Sequence, residues 1–111
     1  MALEKPEIVD AVGIENDTGF AVLTIADQWD WEDERKHLLA LQAKLSAYFG
    51  FIGGGQIWET YPQAVGRQLV IDVVGRFPIP QAGSDLLKRA SETYADLGVL
   101  IRIRHYPGSG K

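Results

Sequence analysis

Few residues in this chain are able to do chemistry, and their spacing limits what they can do. His37 and His105 are the only histidines among 111 residues, and there is no cysteine. A general base needs an orienting partner, and Asp33 stands four residues before His37, one helical turn away. No matching nucleophile is evident, since Ser46, Ser84 and Ser91 show no strand-to-helix elbow around them. Neither histidine has a second one at a ligand spacing, and thiolates are absent, so no metal centre and no cofactor is expected. Both histidines read as ordinary surface residues. Glu59 and Asp72 could act as paired acids, but nothing in the sequence fixes their separation. Gly53-Gly54-Gly55 follows a helix-like run, opens no new helix and lacks a following Lys-Ser/Thr. A phosphate loop needs amides at a helix N-terminus, so that reading is rejected. The expectation is a protein that is not an enzyme.

Binding has better candidates. Trp29 and Trp31 flank Asp30, and Glu32 and Asp33 follow at once. Trp58 and Glu59 repeat the aromatic and acidic pairing further on. Tryptophan is enriched at interface hot spots, and acids suit a cationic partner. Trp29, Asp30, Trp31, Glu32, Asp33, Trp58 and Glu59 are therefore the predicted partner surface. The competing reading is structural: the rings pin a helix to a sheet edge and the acids only cap it. Arg102 and Arg104 alternate on the last strand and could hold a phosphate or carboxylate ligand. Simple cross-strand pairing with acids on the same sheet face, Asp10 or Asp72, competes with that.

Composition bounds the classes. Hydrophobic residues make up 46% of the chain, enough for one core. The formal charge of −4 disfavours bulk binding to nucleic acid or anionic lipid. No apolar run approaches the roughly 20 residues needed to span a bilayer. The first six residues lack the apolar centre of a signal peptide. With the missing cysteines, these features predict a cytoplasmic protein without membrane or nucleic-acid partners.

The elements that must position these residues follow from periodicity. Residues 8–15 and 20–26 read as two strands across the turn Asn16-Asp17-Thr18-Gly19, with Leu23 and Ile25 in the core. Asp30 is the predicted N-cap of a long helix whose stripe is Leu38, Leu41, Leu45, Tyr48 and Ile52, widened by Leu39, Phe49 and Phe51. Gly53-Gly54-Gly55 ends it. Residues 56–61 alternate like a short strand stopped by Pro62, and residues 68–75 form the strongest strand, so the two predict a second hairpin. Phe77-Pro78-Ile79-Pro80 is an extended elbow. A second helix starts between Pro80 and Ser84 with the stripe Leu87, Ala90, Tyr94 and Leu97, and residues 99–104 close the chain as a strand. The predicted fold is α+β: an antiparallel-dominated four- or five-stranded sheet with two helices packed on one face, in the order β-β-α-β-β-α-β. Residues 1–7 read as an N-terminal arm, 8–105 as a single domain and 106–111 as a flexible tail.

Three stretches carry a resemblance. They are Asp10-Ala11-Val12-Gly13-Ile14-Glu15, then Leu23-Thr24-Ile25-Ala26-Asp27 with Trp31, then Leu41-Gln42-Ala43-Lys44-Leu45 with Tyr48. Over residues 8–103 the chain resembles a family of small bacterial domains of unknown function. Those domains look similar to immunity proteins of interbacterial toxin systems. The resemblance implies a small protein that neutralises a cognate toxin by occluding its active site. It carries no catalytic residues onto this sequence. A small-ligand or anion-binding regulatory module is the alternative expectation.

Overall fold

The computed structural model describes residues 11–106. The predicted arm, residues 8–10 of the predicted first strand with Asp10, and the tail beyond Tyr106 lie outside the described residues. β1, Ala11–Ile14, and β2, Ala21–Asp27, pair antiparallel around the predicted turn. Gly19 takes φ 76°, a value that glycine adopts without a Cβ clash. Along β2, Ala21, Leu23, Ile25 and Asp27 are buried and the side chains between them half-buried, as strict alternation requires.

α1 spans Glu34–Gly53. It starts later than predicted, because Asp33 and not Asp30 is its N-cap: Asp33 Oδ1 accepts from the Lys36 N–H at 3.1 Å. Asp30 Oδ1 takes the Glu32 N–H at 3.1 Å and closes the turn before the helix. The buried stripe runs His37, Leu41, Lys44 and Leu45, Tyr48, Phe49, Ile52. Its phase differs from the prediction at the first turn, where His37 replaces Leu38 as the inward residue. Leu39 stays 57% exposed. Tyr48 is buried, and its hydroxyl donates to the Thr24 carbonyl at 2.6 Å, so helix and sheet are joined by a satisfied polar group.

Residues 56–61 are not a strand. Gln56–Thr60 form a short helix, α2, followed by a 3₁₀ turn at Pro62–Ala64. Six alternating residues fit a strand and a single helical turn equally well, and tertiary packing decides. Gly55, at φ 81°, redirects the chain, and Ile57 anchors the new turn as its one buried side chain. The second hairpin therefore does not form. The chain leaves β2 and returns through α1 to enter β3, Leu69–Gly75, in the same direction, with Leu23 beside Ile71. α3, Gln81–Thr93, makes a second such crossover into β4, Leu100–His105, again parallel.

Among the described residues the sheet has four strands in the order β1-β2-β3-β4 and is mixed, with one antiparallel and two parallel pairs. This corrects the antiparallel-dominated expectation, and the described residues form three helices where two were predicted. The α+β class stands. β3 carried the warning: residues 69–73 are all buried, the mark of a strand between parallel neighbours. Successive crossovers of one hand that step in one direction lay their helices on one face. The core lies between that face and α1, around Leu23, Ile25, Ile71, Leu41, Leu45 and Tyr48. Tyr94 stacks on Phe49 at 4.1 Å and ties the end of α3 to α1. No helix among the described residues is long and apolar enough to cross a membrane.

Candidate functional site

The carboxyl ends of β2 and β3 meet at one edge of the sheet, where the Arg76 N–H donates to the Asp27 carbonyl at 2.8 Å. α1 begins at the same edge. In open sheets with parallel strands, ligands gather outside the carboxyl ends. Here that edge is built on a buried pair, His37 and Asp27, 1% and 4% exposed. His37 Nδ1 donates to the Asp30 carbonyl at 2.7 Å, because a carbonyl can only accept. Nε2 lies 2.5 Å from Asp27 Oδ2, so one proton lies between them. Asp27 Oδ1 accepts the Trp29 N–H at 3.2 Å. Burial pushes the Asp27 carboxyl above the usual aspartate range, and its hydrogen bond to His37 opposes that rise.

The two tryptophans enclose the imidazole. Trp31 stacks on it with centroids 3.5 Å apart and planes 10° apart, and Trp29 meets it edge-on at 5.7 Å. This corrects the expected surface role of His37. Its acid partner is Asp27, not Asp33. Both ring nitrogens are engaged, so the imidazole has none left for a substrate. A buried histidine clamped this way acts as a strut that joins the β2 exit to α1.

Around that base the acids point outward. Asp30, Glu32, Asp33 and Glu34 are exposed, while Trp29 and Trp31 are half-buried. A groove of about 510 Å³ opens beside them. Gln28, Trp29, Asp30, Asp33 and Lys36 line one side, and Arg76 and Phe77 the other. Lys36 Nζ sits 5.7 Å from the Trp29 ring centroid, and the Arg76 guanidinium 5.8 Å from that of Phe77. The sequence places Asp27 with the exposed rim acids, and the structure buries it against His37; Lys36, Arg76 and Phe77 were missed. A strand ending in aspartate ten residues before a helical histidine was the available signal.

Trp58 and Glu59 are not part of this edge. They lie on α2, beyond the far end of the 20-residue α1, about 30 Å away at 1.5 Å per residue. The seven predicted contact residues thus divide into a cluster of five and a separate pair. Trp58 is 37% exposed and Glu59 is exposed.

Arg102 and Arg104 lie on the sheet face that α1 leaves open. The register sets Thr24, Asp72 and Arg102 side by side across β2, β3 and β4. Arg104 binds Asp72 Oδ2 through Nε at 2.9 Å and also through its terminal Nη2. Arg102 reaches Glu15 with both terminal nitrogens, at 3.2 and 3.0 Å, and Asp72 weakly at 3.4 Å. Glu15 is held below the usual glutamate range, first by the Arg102 hydrogen bond and then by that of Thr18. Asp72 is fully buried, and its Oδ1 has no partner among the described residues. Asp72 faces these arginines, so it makes no acid pair with Glu59. His105, exposed, lies with Nε2 3.2 Å from the Arg76 carbonyl. Among the described residues no three of His, Asp and Glu converge as metal ligands.

Residues 1–107 match a family of unknown function, DUF6572. The chain belongs to that family. No curated protein and no solved structure matches it. Membership in DUF6572 brings no activity or ligand with it, so the reading of the site rests on its geometry.

Proposed function

We propose that this DUF6572 member is a non-enzymatic domain that binds a protein partner at the carboxyl edge of β2 and β3. One observation carries the reading: the buried histidine at that edge, His37, is locked on both nitrogens, while the carboxylates around it are free of the core and exposed. Such a site offers shape and charge, not proton transfer. The rim is Asp30, Glu32, Asp33 and Glu34, with Trp29 as an amphipathic wall. Its charge favours a cationic partner surface. In the form that the sequence resemblance suggests, the partner is a toxin whose active site the rim covers. Arg102 and Arg104 are a weaker alternative site, since an incoming anion competes there with Asp72 and Glu15.

The test uses residues outside the strut and the cap. Trp31 and Asp33 are poor choices, because one stacks on His37 and the other caps α1. Glu32→Lys with Glu34→Lys reverses two rim charges. The double variant should keep the circular dichroism spectrum and lose a partner that the wild-type chain captures from its native host. Trp58→Ala should keep it. A captured protein whose enzymatic activity is blocked on binding supports the toxin form. Capture that ignores the charge reversal removes this rim from consideration.

A further inference from the structure

β4 is an edge strand, and among the described residues nothing pairs with its outer side. Sheet edges are normally guarded, because their unpaired N–H and C=O groups template another strand. The guards are short length, proline, bulges or free charge. β4 has six residues and no proline. Its two arginines are turned onto the open face and engaged by Glu15 and Asp72, so their charge is already compensated. The other edge, β1, has only four described residues.

The edge also exposes apolar side chains. Leu100 is 49%, Ile103 45% and Tyr106 60% exposed, three of the seven large apolar side chains left exposed among the described residues. Ile101 and Ile103 continue the core face into a trough beside α3, flanked by Lys88 and Glu92. Those two side chains carry opposite signs, so two such flanks turned head to tail present unlike charges to each other. An unguarded six-residue edge that exposes Leu100 and Ile103, with charges of both signs on its flank, fits a second copy of itself. We propose that β4 pairs antiparallel with β4 of a second copy across a two-fold axis, joining two four-stranded sheets into one.

Antiparallel pairing about a two-fold puts one residue of β4 opposite its own copy. The absence of native cysteine makes a single-cysteine scan clean. Directly opposed Cα atoms lie about 4.5–5.5 Å apart, inside the disulfide range of about 4.4–6.8 Å. Ile101→Cys, Arg102→Cys and Ile103→Cys are made separately in the full chain and oxidised, with Leu39→Cys on α1 as control. Sedimentation equilibrium of the wild type should show a dimer. One of the three β4 variants should crosslink to near completion and the control should not. Ile103→Lys should sediment as a monomer with an unchanged circular dichroism spectrum, a safe substitution at a half-exposed position. A wild-type chain that stays monomeric overturns the proposal. So does a dimer in which no β4 cysteine crosslinks, or one that survives Ile103→Lys.

Discussion

Asp27 and His37 share one proton, and that fixes how each can be replaced. The Asp30 carbonyl holds the His37 Nδ1 proton, so a neutral ring must accept at Nε2. Asparagine at position 27 can donate there and still accept the Trp29 N–H. Asp27→Asn should therefore cost less than about 1 kcal/mol. Asp27→Leu leaves a buried imidazole nitrogen and an amide without partners and should cost about 2–4 kcal/mol. Chemical denaturation of the two variants checks the contrast. The pH dependence has a definite sign. The folded carboxyl is raised, so its contribution is fully present below the ordinary aspartate range and is lost as pH rises through the raised value. Wild type should lose stability over that rise and Asp27→Asn should not. Glu15 has the opposite sign. Its value is lowered, so its contribution is present above the ordinary glutamate range and is lost as pH falls through the lowered value. Glu15→Gln should flatten the acid side of the profile, read by melting temperature against pH.

At the scale of elements, the helices meet the site through one close approach. Gly83, in the first turn of α3, is buried against Ile79 and Trp31. A Cβ there would lie 2.5 Å from Ile79 Cγ1 and 3.1 Å from the Trp31 ring. Gly83→Ala gains about 1 kcal/mol of helix propensity and loses about 1–3 kcal/mol to overpacking. The expected net result is a destabilised chain with altered Trp31 fluorescence, whereas Gly50→Ala, with open space around it, should be stabilised. The alternation of β2 and most of the stripe of α1 were legible in the sequence, because each is a local period. Strand direction was not. Whether β3 runs with or against β2 depends on the connection between them, and residues 56–61 of that connection fit a strand or a helical turn alike. The His37 environment was hidden for a related reason. A histidine counts as polar in a periodic reading, and the acid that makes it a core residue sits across the loop between β2 and α1.

For the whole molecule, the acidic rim and the β4 edge are chemically unlike surfaces. The rim is charged and solvated, and its contribution to binding acts over distance. The edge works through apolar contact and backbone hydrogen bonds, which salt barely screens. The other sheet face carries an ion-pair network, and the alternating Arg102 and Arg104 with Asp72 made part of it legible, whereas Glu15, the main partner of Arg102, was not. The rim acids adjoin one another in the sequence, but neither their exposure nor their separation from Trp58 and Glu59 was legible, since the length of α1 decides the latter. These differences give a kinetic prediction. Association with a cationic partner should slow as ionic strength rises from low to physiological, and Glu32→Lys should both reduce the rate and flatten that dependence. Dissociation should change little, because rim charges act mainly on encounter. Self-association through β4 should show a much weaker slope, set by the Lys88 and Glu92 flanks alone. Stopped-flow association for the partner and sedimentation for the self-pairing, each across a salt series, separate the two surfaces within one chain.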